Sequence, residues 1–245
     1  MINMNTIIQW ANENSGFLSL MIFISTLFLG WVSGIFQSLM KKPKFKLKIN
    51  SGPTICTTFV TGKRYNDYDL HRTAISIYLG VSNIGSAPSS IQNVWIGYHW
   101  HIKPINWLWF RYRILWYWIK KPINTMEDFQ YNFGDRIKIY PSLLQGITTT
   151  KKAPVTYLEV GKSINGVVYF EQDDSWGGCF PTSNNGKVKL RIVVIDTFGK
   201  KFKKTFWVPS VNIEEAQKYN PAFGASFAIM RGEIENESVG VKNNI

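Results

Sequence analysis

The chain contains few of the residues that carry most catalytic and metal chemistry. Its 245 residues include two cysteines, Cys56 and Cys179, and three histidines. The cysteines form neither a CxxC pair nor a metal-ligand spacing, so we expect two reduced thiols rather than a disulfide or a zinc site. No GxSxG, HExxH or kinase-type motif occurs, and the Gly-Lys-Ser of residues 161–163 lacks the first glycine of a phosphate-binding loop. We therefore predict that the protein is not an enzyme and has no catalytic residue, metal or cofactor.

Carboxylates are also scarce in this sequence. There are 16 Asp and Glu against 28 Lys and Arg, which gives a formal net charge of +12 at pH 7. A charge of this sign and size favours anionic partners. For this chain we expect the anionic surface of a membrane, with a nucleic acid or a nucleotide as the alternative.

Charge is absent altogether from the 24 residues between Phe17 and Met40. As a helix this stretch would be about 36 Å long, enough to cross a hydrocarbon core of about 30 Å. This predicts a transmembrane helix over residues 17–40. A cleaved signal peptide is a weaker interpretation, because the apolar run is too long and residues 1–16 contain no Lys or Arg.

Positive charge lies on only one side of the apolar stretch. Residues 1–16 carry none, whereas three lysines follow within four residues of Met40: Lys41, Lys42 and Lys44. The positive-inside rule predicts a single-pass protein of the inner (cell) membrane, with residues 1–16 outside and the C-terminal domain in the cytoplasm. The inverted topology, which would make this an extracytoplasmic cell-envelope protein, stays open as an alternative.

Small residues recur every four positions in the same stretch, at Thr26, Gly30, Gly34 and Ser38. Two of them form a GxxxG match. In lipid, small residues at this spacing allow two helix backbones to approach closely and associate. The pattern predicts a homo-oligomer, or packing on a partner membrane protein.

Beyond the apolar stretch, the hydrophobic period changes from helical to alternating. Short β-branched segments separated by Gly, Asn and Asp turns favour an antiparallel, immunoglobulin-like β-sandwich. In residues 187–192, alternation would place Lys187, Lys189 and Arg191 on one face of a strand. We expect three further regions: a basic juxtamembrane linker over residues 41–48, a mainly β domain with an aromatic-rich insertion over 49–212, and a polar acidic tail over 213–245.

Tryptophan is concentrated in residues 105–119, INWLWFRYRILWYWI. As a helix this segment would be about 22 Å long, too short to cross a bilayer. Tryptophan, tyrosine and arginine together favour the headgroup level of a membrane. We therefore predict a membrane-interface site made by Lys41, Lys42, Lys44, Trp107, Trp109, Arg111, Arg113, Trp116, Trp118, Lys120 and Lys121. The alternative is an aromatic hairpin or patch that belongs to the domain core.

In layout, with one spanning helix followed by a basic β domain, the chain resembles small membrane-anchored effectors of bacterial defence systems. This resemblance covers no sequence motif, and it implies a membrane-disrupting role in antiviral defence. From the residues themselves we expect an oligomeric membrane protein whose β domain is a binding or sensing module. The alternatives are a membrane-tethered protein that binds nucleic acid or a nucleotide, and an extracytoplasmic cell-envelope protein.

Overall fold

The structure, a computed structural model, describes residues 9–10, 12–102, 107–123, 128–144 and 155–232. The chain divides into two compact units, Met1–Lys42 and Pro43–Ile245. In their described parts the first unit is helical and the second is mainly β.

The N-terminal unit contains a long apolar helix that is interrupted near its end. Helix α1 spans Ser15–Val32 and helix α2 spans Ile35–Leu39. Between them Gly34 has φ +76°, a left-handed conformation that glycine adopts without steric cost, and the first helix ends there. The predicted transmembrane segment of residues 17–40 thus contains two helices, and its insertion in a membrane stays a prediction. The 18 residues of α1, about 27 Å at about 1.5 Å per residue, are still long and apolar enough to cross a membrane.

The interruption also changes the row of small residues. Gly34 and Ser38 lie beyond the break, so they do not share one face of a continuous helix with Thr26 and Gly30. The ring of Phe36 covers Gly30, because a Cβ built on this glycine would lie 3.0 Å from the ring. The Thr26 hydroxyl donates to the helix carbonyl four residues earlier at 2.8 Å. Thr26 and Gly30 thus lie in α1 and Gly34 and Ser38 beyond its end, and a role of these four residues in association stays a prediction.

Twelve strands and three short helices lie in the described part of the second unit. The strands are β1 Phe45–Ile49, β2 Ile55–Tyr65, β3 Tyr68–Asn83, β4 Ser89–Tyr98, β5 Tyr117–Ile119, β6 Phe129–Phe133, β7 Arg136–Tyr140, β8 Tyr157–Leu158, β9 Ser163–Glu171, β10 Ser183–Asn184, β11 Lys187–Asp196 and β12 Lys201–Pro209. The helices are α3 Trp107–Trp109, which continues as a π-helical turn over Phe110–Ile114, α4 Ile213–Gln217 and α5 Ser226–Met230.

The long strands pair antiparallel in two sheets. In the first sheet β3 pairs with β9 along one side and with β1 and β2 in succession along the other. In the second sheet β11 lies between β12 and β4, β5 and β8 also pair with β4, and β10 pairs with the start of β11. Strands β6 and β7 form a separate hairpin. The prediction of a mainly β domain with antiparallel pairing is confirmed.

Residues from both sheets form one hydrophobic cluster. It includes Ile75 and Leu79 of β3, Ile96 of β4, and Leu190 and Ile192 of β11, each at most 1% exposed. Side chains alternate between the two faces of a strand, so the intervening positions point away from this cluster. The apolar half of each alternating segment is therefore what joins the two sheets.

A second hydrophobic cluster covers the other surface of the first sheet. It contains Phe129 and Tyr140 of the β6–β7 hairpin, Tyr169 of β9 and Phe223 near the C-terminus. Part of the segment expected as a polar acidic tail after residue 212 therefore packs on the first sheet, and residues 233–245 lie outside the described residues. At the other boundary, β1 pairs with β3, so the basic linker ends before Phe45 rather than at residue 48.

One end of the sheets is organised by the buried side chain of Asn83, at the end of β3. Its amide nitrogen donates to the carbonyl oxygens of Ala87 at 2.8 Å and Leu158 at 3.1 Å. The chain enters the second unit at this same end, where the Lys200 ammonium donates to the Pro43 carbonyl at 3.1 Å. We call this the Asn83 end of the domain.

The opposite end is marked by Trp100, which follows β4. Its backbone N–H donates to the carbonyl of Tyr112 in the π-helical turn at 2.9 Å. Strand β4 runs between the two ends, and its ten residues span roughly 30 Å at about 3.3 Å per residue. We call this the Trp100 end. The Trp-rich segment therefore lies at the end opposite to Pro43.

Candidate functional site

One face of the second sheet combines lysine, arginine and tryptophan side chains. Alternation along its strands turns the hydrophobic residues inward and leaves every second position on the outer face. Six cations and four tryptophans occupy that face: Lys120, Lys187, Lys189, Arg191, Lys201, Lys203, Trp95, Trp116, Trp118 and Trp207. We call these ten residues the cationic-aromatic face.

Several cations of this face lie over tryptophan rings. The Lys201 ammonium is 4.6 Å and the Lys120 ammonium 5.4 Å from the centre of the Trp95 ring. The Arg191 guanidinium is 4.2 Å from the centre of the Trp116 ring. At these distances the cations are attracted to the negative faces of the rings. The side chains are therefore held by one another as a preformed surface.

The packing of Trp118 depends on a glycine. Trp118 pairs with Gly97 across β5 and β4. A Cβ added to Gly97 would lie 2.8 Å from the Trp118 ring, which is closer than carbon atoms approach. The half-buried ring thus lies directly on the backbone of β4, and the absence of a side chain at residue 97 creates its position.

Carboxylates are missing from this face within the described residues. The four strands β4, β5, β11 and β12 contain one acidic residue, Asp196, which is buried and accepts hydrogen bonds from the backbone N–H groups of Phe198 and Lys200. None of the six cations forms an ion pair with a described carboxylate. The positive charge of this face is therefore not neutralised by any carboxylate of the described residues, and the face is complementary to an anionic ligand.

A groove crosses one part of the cationic-aromatic face beside Trp207. It has a volume of about 300 Å³ and is lined by His99, Thr182, Asn184, Lys189 and Trp207. A second cavity of about 300 Å³ continues along Asn184, Asn185, Lys187 and Trp207. Trp207 is half exposed, so its ring offers a flat apolar surface next to amide groups and two ammonium groups.

The Trp-rich segment is divided between two environments. At its start, α3 and the π-helical turn project apolar side chains: Trp107 is 73% exposed, and Phe110, Ile114 and Leu115 are exposed as well. The rings of Trp107 and Phe110 are stacked, with their centres 6.3 Å apart. This part of the segment is an exposed apolar turn at the Trp100 end.

Further along, the same segment becomes strand β5 of the second sheet. Tyr117 and Ile119 pack against the first hydrophobic cluster, whereas Trp116 and Trp118 are half-buried on the outer face. Trp109 is half-buried too. None of the segment's four tryptophans, Trp107, Trp109, Trp116 and Trp118, belongs to either hydrophobic cluster. The alternative of a core hairpin thus describes Tyr117 and Ile119 but not the tryptophans.

The remaining residues of the predicted membrane-interface site are exposed cations. The side chains of Lys41, Lys42, Lys44, Arg111, Lys120 and Lys121 are exposed, and that of Arg113 lies outside the described residues. Lys44 precedes β1 at the Asn83 end, whereas Arg111 lies in the turn at the Trp100 end. The structure therefore does not bring the second unit's members of this set together on one surface.

Away from this face, a buried ion network fixes the C-terminal segment. The Arg72 guanidinium donates to the Glu171 carboxylate at 3.3 Å, to Asp174 at 2.6 Å and to the carbonyl of Gly224 at 3.1 Å. The other Glu171 oxygen accepts from the N–H of Phe227 at 3.1 Å. Burial raises the pKa of Glu171 to about 7, although the Arg72 charge and these hydrogen bonds oppose the shift. This network holds residues 224–227 against the first sheet.

The cysteines have different surroundings. Cys56 is buried, and burial raises the pKa of its thiol to about 12, so this thiol is protonated and unreactive at neutral pH. Cys179 is only partly buried. Among the described residues, no group of three His, Cys, Asp or Glu side chains is arranged to hold a metal ion.

No protein-family model matches this chain, and no curated protein matches it either. The architecture of the molecule is a mainly β domain, preceded in the chain by an apolar helix that is long enough to cross a membrane.

Sequence patterns indicate part of the cationic-aromatic face. The alternation in residues 187–192 predicted that Lys187, Lys189 and Arg191 share a face, and their register with β12 and β4 agrees. No sequence pattern considered above predicted that Trp95 and Trp207 belong to this face. The signal that could have found Trp207 is the same alternation in residues 201–207, KFKKTFW.

Proposed function

We propose that this protein is a single-pass membrane protein whose β domain holds an anionic ligand at the membrane without catalysing a reaction. Helix α1 would cross the inner membrane, and the lysines after Met40 would keep the β domain in the cytoplasm. The two sheets would form an immunoglobulin-like sandwich that carries the cationic-aromatic face as a rigid platform.

The cationic-aromatic face is the observation that carries this proposal. Its six cations have no carboxylate partner among the described residues, so an anionic ligand would replace only water and counterions. The groove beside Trp207 narrows the ligand class. A nucleotide base would stack on the Trp207 ring, its edge would face the amide of Asn184, and its phosphate would lie near Lys187 or Lys189. We therefore propose a nucleotide or single-stranded nucleic acid as the ligand.

A second candidate is that this face rests on the anionic bilayer itself. The exposed apolar turn around Trp107, which leads directly into Trp116 of the face, favours it. Such side chains insert to the headgroup level, and neighbouring lysines and arginines attract anionic lipid. Because the turn lies at the Trp100 end, it reaches the bilayer only if the long axis of the sheets runs parallel to the membrane. The membrane-interface prediction for the Trp-rich segment belongs to this candidate.

Association of α1 is a further part of the proposal. Thr26 and Gly30 are the small residues within α1 at which a second copy, or a partner membrane helix, would approach, and this approach would displace the Phe36 ring from Gly30. A membrane-disrupting effector of antiviral defence would need such an assembly. The cell-envelope alternative requires the opposite topology, so locating the C-terminus distinguishes it from this proposal.

The ligand proposal is tested with the full-length protein in detergent micelles. Binding of a fluorescent single-stranded oligonucleotide and of a free nucleotide is measured at increasing salt concentration. The variant Lys189→Glu with Arg191→Glu should bind more weakly, and its log–log salt slope should fall by about 1.4 if each residue neutralises one phosphate. The matched control is Lys46→Glu with Lys48→Glu, which changes the same charge on exposed residues of β1 in the first sheet.

The outcomes separate the candidates. Normal oligonucleotide binding by the control, with weak binding by the face variant, supports the proposal. Equal losses in both variants would show that only net charge matters and would contradict it. If neither ligand binds, but the face variant alone loses tryptophan quenching by brominated anionic lipid in nanodiscs, the bilayer is the partner of this face.

A further inference from the structure

Three turns at the Asn83 end each project one apolar side chain into solvent. Phe198 is 76% exposed in the β11–β12 turn, Ile84 is 51% exposed after β3, and Val160 is 51% exposed before β9. Phe198 is among the most exposed large hydrophobic side chains of the described residues. At least half of each side chain is in contact with water, so the three residues together form an exposed apolar surface at this end.

Hydrogen bonds show that these turns lie side by side around the point where the chain enters. The N–H of Ile84 donates to the carbonyl of Lys44 at 2.8 Å, and the N–H of Gly161 donates to the carbonyl of Asn83 at 2.8 Å. In the third turn, the Lys200 ammonium donates to the Pro43 carbonyl at 3.1 Å. The three apolar tips therefore surround the first residues of the second unit.

Charge at this end has the sign that anionic lipid attracts. The segments 43–44, 84–88, 159–162 and 197–200 contain three lysines, Lys44, Lys162 and Lys200, against one carboxylate, Glu159. Lys162 and Lys200 have exposed side chains within two residues of Val160 and Phe198, respectively. Apolar tips flanked by lysines are the combination that binds a membrane surface, because the headgroup region accepts both.

We infer that the Asn83 end is a membrane-contact surface, which seats the β domain on the same anionic bilayer that α1 crosses. The inference rests on the proposed membrane anchor and does not require a ligand on the cationic-aromatic face. It is incompatible with the second candidate function, because that candidate lays the long axis of the sheets parallel to the membrane. Chain length supports the bilayer as the occupant, because the four steps from Leu39 at the end of α2 to Pro43 span at most about 14 Å. With this end seated, the tips of Ile84, Val160 and Phe198 enter the headgroup region. The Trp100 end then points away from the membrane.

The test measures the depth of single positions in full-length protein reconstituted into nanodiscs with anionic lipid. Cys179→Ser removes the partly exposed thiol, and the buried Cys56 does not react. One cysteine is then introduced and labelled with an environment-sensitive fluorophore, and quenching by nitroxide lipids is recorded. The labelled positions are Phe198→Cys as the test, Tyr65→Cys as the control and Phe23→Cys as the reference. Tyr65 is an exposed aromatic residue, 57% accessible, at the tip of the β2–β3 hairpin away from the Asn83 end.

We expect the label at position 198 to show blue-shifted emission and strong quenching by headgroup-level nitroxide, while the label at position 65 shows neither. Quenching at position 23 without quenching at position 198 overturns the inference and leaves the anchor intact. Equal quenching at positions 65 and 198 also overturns it, because contact would not be specific to this end. No quenching at position 23 shows that the proposed anchor itself fails, and the inference fails with it.

Discussion

Asn83 offers the sharpest test of how the Asn83 end is held together. Its side chain is fully buried and makes four hydrogen bonds. The amide nitrogen donates to the carbonyls of Ala87 and Leu158, and the amide oxygen accepts from the backbone N–H groups of Lys44 and Gly85. Asn83→Asp keeps the shape and the two accepting bonds, but it replaces the donating NH₂ group by a carboxylate oxygen.

The size of the effect follows from the two carbonyls that lose their donor. Leaving a buried polar group without a partner costs about 1–3 kcal/mol, so Asn83→Asp, which leaves two, should lower the free energy of unfolding by about 2–6 kcal/mol at pH 7. Burial should raise the pKa of the new carboxyl group above its ordinary value. The folded variant then binds the proton more tightly than the unfolded chain. Its unfolding free energy should therefore fall as pH rises from the ordinary pKa of an aspartate through the raised pKa of the folded variant.

The assay is urea-induced unfolding of the full-length protein in mild detergent, followed by tryptophan fluorescence at pH 5 and pH 8. Asn93→Asp is the matched control. Asn93 lies on β4, and its side-chain amide donates one long, exposed hydrogen bond of 3.4 Å to the Lys120 carbonyl. It should change the unfolding free energy by no more than about 0.5 kcal/mol. Equal stability of the two variants at pH 8 would refute the assignment of Asn83 as the organising residue of this end.

Three further predictions concern topology, association and pH dependence. A phosphatase fused after Ile245 should be inactive and a fluorescent protein at the same position bright, because the proposed topology places the C-terminus in the cytoplasm; an active phosphatase would contradict this topology. Gly30→Leu should reduce self-association measured by energy transfer in membranes, because the larger side chain prevents close helix approach, whereas Ser19→Leu should not; equal effects would indicate general disturbance of the helix. Between about pH 4.5 and 7 the folded protein binds the Glu171 proton more tightly than the unfolded chain, so unfolding free energy should decrease by on the order of 3 kcal/mol as pH rises through that range. Glu171→Gln should remove this contribution in urea unfolding, and an unchanged pH slope in the variant would contradict it.

Local patterns in the sequence predicted much of the secondary structure but missed an interruption in it. Alternating residues identified the β segments, since a strand with one buried face has a period of two. The break at Gly34 was missed because glycine within an apolar run is equally compatible with a continuous spanning helix. The polar residues after Asn212 give no local sign that Phe223 packs on the first sheet.

The candidate sites contain both features that local sequence specifies and features that depend on tertiary contacts. Lys187, Lys189 and Arg191 share a face for a local reason, and the sequence was sufficient to predict it. The arrival of Trp116 beside Arg191 depends on β4 lying between β5 and β11, and no local pattern specifies that pairing. Asn83 likewise acquires its role from Leu158, 75 residues further along the chain.

The apolar helix and the alternation that makes the C-terminal unit mainly β follow from neighbouring residues, and the excess of positive charge follows from composition. Which surfaces these residues form depends on tertiary contacts. In the folded domain, cations from separate strands lie on one face, and the exposed turn at Trp107 lies at the end opposite Pro43. Phe198 also lies beside the point where the chain enters the domain. These outcomes depend on strand pairings between distant segments, whose register is fixed by the packing of both sheets into one hydrophobic cluster.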